Sequence, residues 1–482
     1  MAITIVGLGP GDPALLTRQA WDTLSDSDEV FLRTGQHPTV AGLPDGLVIH
    51  AFDSMYEQSG GFADVYAAIT ARVLALGRRK RGVIYAVPGH PLVGEATVTA
   101  LLQQAAAERL PVKIVAGLSF IGPVLAALQI DGMDGLQVAD ALEVALCLHP
   151  ALNPDAPAML GQLYCREVAG DVKLTLMNQY PDQHLVHLVH AASTAEEQVD
   201  TVPLHALDHC QSIGHLTTLY VPPLPQRSGF EGFQETIARL RGPGGCPWDQ
   251  EQTHQSLGPG LLEETAEVMD ALDANDMDAL CEELGDLLLH IVLQAQIATE
   301  DGDFTAADVI AGIEAKIRRR HPHVFGRATA STVEQVCANW DAIKRRERGS
   351  QEERSALDGV PASLPALARA AALLGKAASS GFDFPGGDEA VARVGEKVAV
   401  LLAADTREEQ MKDMGDLLFA AANWARSLDL DAESALRSAI WRFRQRFLAF
   451  EAAARDRAGG ISNLDADEVQ SLWQASRPEL RA

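Results

Sequence analysis

At 482 residues the chain exceeds one ordinary domain, and two or three are expected. A hydrophobic fraction of 47% beside 22% charged residues excludes global disorder, and the lack of any apolar run of about eighteen residues excludes a helical membrane span. The formal charge of −27 argues against a nucleic-acid coat protein, although a metal ion or a local basic cluster can reverse the field at one site.

The N-terminus, "MAITIVGLGPGDP", has no basic leader and runs directly into a strand and a glycine loop, so no secretory signal is expected. Six cysteines (147, 165, 210, 246, 281 and 337) show no CxxC spacing and read as reduced thiols of a cytoplasmic protein. Across residues 1–222, "ITIVGLG", "GVIYAVPG", "VKIVAG", "VKLTLMN" and "LTTLYVPP" are predicted strands; "ALLTRQAWDTL" and "EATVTALLQQAAAE" are predicted helices. This alternation predicts an α/β domain with a mostly central sheet. In "HLVHLVHAA" a strand places His184 and His190 on one face and His187 on the other, so the three do not converge on a metal.

"VGLGPGDPALLT" (6–17) sets glycines between a strand and a helix, where backbone can approach a nucleotide-like ligand closely. With "YAVPGHPLVGE" (85–95) and "VKIVAGLSFIGPVLAALQID" (112–131), the front of the chain resembles the tetrapyrrole methylase superfamily over about residues 1–222. The resemblance implies an α/β, S-adenosylmethionine-dependent, commonly dimeric enzyme, with Gly7, Gly9, Gly11, Pro88, Gly89, Ser119 and Met177 around the cofactor. Uroporphyrinogen methylases carry GGDP at the second loop; this chain has "PGHP", with His90 in the aspartate's place, which counts against tetrapyrrole chemistry but leaves the ligand loops intact.

"PPLPQRSG" (222–229), with three prolines, one glycine and no periodicity, reads as a linker, taken as 223–229 after a front domain ending at 222. Beyond it the pattern is helical. A second boundary near "SALDGVPASLPALA" (355–368) divides this half into units 230–354 and 355–482. The units are duplicates: "EELGDLLLHIVLQAQIA" (282–298) is echoed by "KDMGDLLFAAANWARSL" (412–428), with Asp286 and Asp416 130 positions apart.

In "LLEETAEVMDALDANDMDALCEELGDLLLH" (261–290) carboxylates interrupt an apolar helical pattern. Glu264 and Glu267 share a helix face, Glu263 lies one turn before Glu267, and Glu283 and Asp286 share a face of the next helix. "DANDMDA" is a short polar connection with an N-cap candidate, so the helices are predicted antiparallel and four or five carboxylates converge. Carboxylates gathered without partners repel and titrate upward. A hard divalent cation relieves this, and Mg²⁺ bound by oxygens together with substrate phosphates fits best, with Mn²⁺ an alternative in the same ligand set. The competing reading is a solvated acidic face on a helical hairpin.

These stretches, with "GGCPWDQEQT" and "KIRRRHPHVFG", resemble the MazG family of nucleoside triphosphate pyrophosphohydrolases over about residues 228–482. The resemblance implies an all-α, usually dimeric enzyme that cleaves NTP to NMP and pyrophosphate. It implies Glu264, Glu267, Glu283 and Asp286 as Mg²⁺ ligands, with Glu263 left to orient or deprotonate the attacking water. Lys316, Arg319 and Arg320, at i, i+3 and i+4, offer a cationic face for the triphosphate, or an ordinary solvated basic stripe. Trp248 either stacks on a base or anchors its loop, Lys344 is a further phosphate candidate, and Cys246 and His290 read as packing residues. In the second unit Asp413 and Asp416 remain and Glu396 matches Glu263, but Lys397 and Val400 replace Glu264 and Glu267, so that copy is expected to be metal-poor and structural.

The whole architecture resembles the YabN type of fusion protein. The leading reading is an NTP pyrophosphohydrolase, a homodimer without nucleic-acid or membrane partners. Two others are a methyltransferase whose helical half supports oligomerisation or sensing, and a non-catalytic sensor binding S-adenosylmethionine in front and nucleotide behind.

Overall fold

Alternation of side chains along a strand sends Ile3 and Ile5 to one face and Val6 to the other, and all three are fully buried. This double burial marks a central parallel strand, β1 (Ile3–Gly7). With β2 (Glu29–Leu32), β3 (Val48–Ala51), β4 (Val83–Val87) and β5 (Val112–Val115) it forms an all-parallel sheet of order β3-β2-β4-β1-β5. Ala20 and Leu24 of α1 (Arg18–Ser25) cover one face; Val98 and Leu101 of α2 (Ala96–Ala107) cover the other. The computed structural model describes residues 1–58, 61–347 and 355–476, and the chain divides into two units, Met1–Arg239 and Leu240–Ala482.

The front unit is α/β as expected and contains a second sheet beside the first. β6 (Gln137–Asp140), β7 (Ala158–Gly161), β8 (Leu185–His190), β9 (Gln198–Pro203) and β10 (Thr217–Val221) run in the order β6-β7-β10-β8-β9. Only β6–β7 is parallel; the other pairs are antiparallel. Alternation of strands and helices does not reveal where pairing stops and a new sheet starts. The predicted strand "VKLTLMN" is corrected: it is the end of α3 (Arg166–Leu176). Val168, Ala169, Val172, Thr175 and Leu176 are buried there at helical spacing, and this face outweighs the β-propensity of valine and threonine.

The proline-rich segment lies along the front unit. Leu224 N–H donates to the Pro154 carbonyl at 2.8 Å, and the amides of Ser228 and Gly229 donate to Asp155 Oδ1 at 2.7 and 2.9 Å. The division between units falls later, at Arg239/Leu240, inside the helix Phe230–Arg241.

In the second unit, α4 (Gly258–Ala274) ends at Asn275 in the left-handed conformation, and Asp276 caps α5 (Met277–Asp301) by accepting the Ala279 N–H. A two-residue turn therefore folds α5 back along α4. A Thr305–Asp308 capping box opens α6 (Ala306–Arg320), and α7 (Val333–Glu347) follows. The hairpin of α8 (Gly387–Leu402) and α9 (Arg407–Ser427) repeats the first and is followed by α10 (Ala432–Ala458). An ion pair of 2.9 Å from Arg437 on α10 to Asp273 on α4 links the two copies. The boundary predicted near 354/355 adjoins residues 348–354, which lie outside the described residues. All six cysteines are unbridged, and among the described residues no helix is long and apolar enough to cross a membrane.

Candidate functional site

The α4–α5 hairpin brings Glu264, Glu283 and Asp286 together, with one carboxylate oxygen from each lying within 4.8 Å of the others. Loss of water, then the charges of Asp286, Glu267 and Glu263, pushes the Glu264 carboxyl above its ordinary range, while His290 pulls it back. Glu283 is raised for the same first reason and then by Glu267, Glu282 and Glu264, with a Glu267–Glu283 hydrogen bond adding to the effect. Glu267 thus borders the trio rather than joining it, and Glu263 is exposed beside it. An all-oxygen set held at mutual repulsion fits a hard divalent cation.

His290, read as a packing residue, also faces this cluster. A Cβ at Gly260 would stand 2.8 Å from its ring, so the glycine makes the room the imidazole occupies; its Nδ1 is buried without a hydrogen-bond partner. Its i+4 spacing from Asp286 was the available signal. Trp248 is 64% exposed in the short helix Pro247–Gln250, so its ring is not packed into the bundle. Cys246 and Lys344 are half-buried.

The basic face of α6 points partly elsewhere. Arg319 and Arg320 both reach Glu347 of α7 at 2.6 Å, and Arg320 also lies over the Trp340 ring. The two guanidiniums hold the Glu347 carboxyl down to about 2. Lys316 is exposed. In the second hairpin Lys397 Nζ donates to Asp416 Oδ2 at 3.0 Å, and this ion pair holds the Asp416 carboxyl below its ordinary value. Both residues border a cavity of about 130 Å³ with Arg393, Phe384 and Phe419.

In the front unit the strand ends of β1, β4 and β5 meet. Gly9 and Gly89 exchange backbone hydrogen bonds of 3.2 and 2.8 Å, and a Cβ on Gly7 would lie 2.6 Å from both Gly117 N and Gly89 O. Only glycine permits that approach. Pro88 and Ser119 lie in the same loops and Gly11 in the first, whereas Met177 caps α3 in the layer of the second sheet. His90 Nδ1 accepts the Leu92 N–H at 3.1 Å, closing the turn with its ring.

Sequence reasoning missed a buried group beside these loops. Glu95 is 7% exposed and faces Arg33 across 3.4 Å; burial raises its carboxyl to about 7, with Arg33 opposing. Burial and then Arg33 lower His37 to about 4. No local pattern announces such a pair, because its burial is created by the assembled sheet.

The MazG nucleotide pyrophosphohydrolase domain matches residues 252–325, and the Tetrapyrrole (Corrin/Porphyrin) Methylases match residues 2–208. YabN of Bacillus subtilis is 38% identical over 98% of this chain and 98% of its own. The chain belongs to the YabN family of methylase–MazG fusions. The nucleoside triphosphate pyrophosphohydrolase of Escherichia coli (strain K12) is 42% identical across 49% of this YabN-family chain and 93% of its own. The nucleoside triphosphate pyrophosphohydrolase/pyrophosphatase MazG of Thermotoga maritima is 36% identical across 52% and 95%. The carboxylate hairpin of this YabN-family protein lies within the matched MazG segment.

Proposed function

We propose that this protein is a Mg²⁺-dependent nucleoside triphosphate pyrophosphohydrolase, converting NTP and water to NMP and pyrophosphate and clearing damaged or surplus nucleotides. The observation that carries the reading is the convergence of Glu264, Glu283 and Asp286 inside a MazG domain. Glu264, Glu267, Glu283 and Asp286 would hold Mg²⁺ or Mn²⁺, which when bound neutralises charge on the reacting phosphate oxygens and the leaving pyrophosphate. Exposed Glu263, beside that set, orients the attacking water and takes its proton. Lys316 meets the triphosphate; Arg319 and Arg320 add to it by exchanging Glu347 for phosphate, which guanidinium binds bidentately. The exposed Trp248 ring offers a stacking surface for the base, and Lys344 a further phosphate contact.

The working form is a cytoplasmic homodimer. Val309, Ile310, Ile313 and Ile317 of α6 are all exposed, as are Leu436, Ile440, Phe443 and Phe447 of α10. Apolar stripes of this kind suit a second copy of the chain. Pyrophosphate release with Mg²⁺ across a nucleotide panel tests the activity. Turnover of at least one NTP, lost on chelation, is expected; silence across canonical and damaged nucleotides would overturn the reading.

For the front unit we propose S-adenosylmethionine binding at Gly7, Gly9, Gly11, Pro88, Gly89 and Ser119, with Met177 completing the site, and no useful methylation of uroporphyrinogen. The close-packed glycine loops support the first part, and His90 at the second loop supports the second. Calorimetry with S-adenosylmethionine or its demethylated product should register heat of binding. No binding at millimolar ligand would reduce this unit to a scaffold, and robust methyl transfer to uroporphyrinogen would show that His90 is compatible with that chemistry.

A further inference from the structure

The three histidines of "HLVHLVHAA" go separate ways, as strand alternation requires. His184 Nε2 lies 2.9 Å from the Pro222 carbonyl, His187 Nδ1 lies 2.9 Å from Thr201 Oγ1, and His190 Nδ1 lies 3.0 Å from Thr217 Oγ1. His190 nevertheless turns its second nitrogen toward a different set of donors. Its Nε2 is 3.2 Å from Asp200 Oδ2, which is itself 3.4 Å from Cys210 Sγ. One donor atom from each of His190, Asp200 and Cys210 lies within 4.8 Å of the other two.

We propose that His190, Asp200 and Cys210 are ligands of a zinc-class transition-metal ion that clips the end of β8 to β9 and to the segment entering β10. The donors come from three separate segments, and one imidazole, one carboxylate and one thiolate form a mixed set that suits zinc and not magnesium. Two ligands of one such ion stand at most about 4.5 Å apart, given metal–ligand bonds of roughly 2.0–2.3 Å; the His190–Asp200 and Asp200–Cys210 separations meet that limit, and the third pair lies within 4.8 Å. The imidazole is held in place: His190 is 7% exposed, and Thr217 Oγ1, which accepts the Gly214 N–H at 2.8 Å, stands against its Nδ1. A proton donated from Nδ1 to Thr217 leaves the Nε2 lone pair facing the other two donors, the arrangement that second-sphere partners impose on metal-binding histidines.

Ser212 defines the competing account. Its Oγ lies 2.8 Å from Asp200 Oδ2, 3.1 Å from His190 Nε2 and 2.9 Å from Cys210 Sγ. A hydroxyl has one donor and two acceptor positions, so it can hold all three as a hydrogen-bond hub. Ser212 is exposed and can rotate away from an incoming ion or remain as a neutral fourth ligand. The two accounts differ in whether the thiol becomes a metal-bound thiolate.

Titrating the full-length protein with Co²⁺ separates them, because a thiolate ligand produces a sulfur-to-cobalt charge-transfer band that an all-oxygen site cannot. One saturable equivalent of that band is expected in the wild type, displaced by Zn²⁺. Cys210→Ser should abolish it with the other five cysteines unchanged, and Thr217→Val should weaken cobalt binding about tenfold or more. His190→Gln should weaken it further; if that buried substitution prevents folding, partly exposed Cys210 still decides the outcome. No band in the wild type, or a band that survives Cys210→Ser, would leave only the serine-centred hydrogen-bond network.

Discussion

Glu264→Gln is expected to abolish pyrophosphate release while leaving the helical bundle folded. The amide nearly matches the carboxylate in shape but brings no charge to the cation, and lost metal stabilisation costs several kcal/mol of barrier, on the order of a thousandfold or more in rate. Stability should move the other way. Loss of water and then the charges of Asp286 and Glu267 raise the Glu264 carboxyl in the ion-free protein, so removing its charge relieves strain rather than breaking a pair. Melting without Mg²⁺ should be no lower than wild type, and the added stability that Mg²⁺ confers by binding the folded form should shrink. Near wild-type turnover of Glu264→Gln at saturating Mg²⁺ would sink the assignment.

The duplicated hairpins should respond unequally to the same change. Asp286→Asn is expected to remove hydrolysis, whereas Asp416→Asn should alter it by less than about tenfold, or roughly 1.4 kcal/mol of barrier. Asp286 belongs to a cluster of three carboxylates, while Asp416 is already occupied by the ammonium of Lys397 at 3.0 Å. Val400 supplies no oxygen where the first copy has Glu267. The Lys397–Asp416 pair is partly exposed, at 26% and 46%, so its loss should cost modest stability, above that of a fully solvated surface pair and below that of a buried one. Rates should be compared on material shown by circular dichroism to be folded. If folded Asp416→Asn is as inactive as Asp286→Asn, the second hairpin contributes to the active site.

The carboxylate hairpin was legible in the sequence because both of its determinants are local. Helical spacing groups Glu264 with Glu267 and Glu283 with Asp286, and the cap at Asp276 shows where the chain reverses. The substitution of Lys397 for a carboxylate could likewise be read by aligning the copies. Other features depended on distant partners. Arg319 and Arg320 look free until α7 presents Glu347, and Glu95 looks like a surface residue until the first sheet closes over it. His190 and Asp200 become neighbours through the pairing of β8 with β9, and Cys210 joins them from the segment that follows β9. Residues 172–178 were misread as strand because β-branched composition was weighed above a 3.6-residue burial period.

The two-residue turn at Asn275 and Asp276 leaves the hairpin no slack, and that makes its chemistry a matter of phase. Each helical residue rotates a side chain by about 100° and advances it about 1.5 Å. One residue inserted into the first turn of α5, ahead of Glu283, would swing Glu283 and Asp286 away from Glu264 like a gear slipped by one tooth, although every ligand were still present. A longer turn would let the helices slide and blur the same alignment. The interval between the two carboxylate pairs is therefore under as tight a mechanical constraint as the carboxylates themselves, and insertions there should be tolerated far less than substitutions on the exposed sides of either helix.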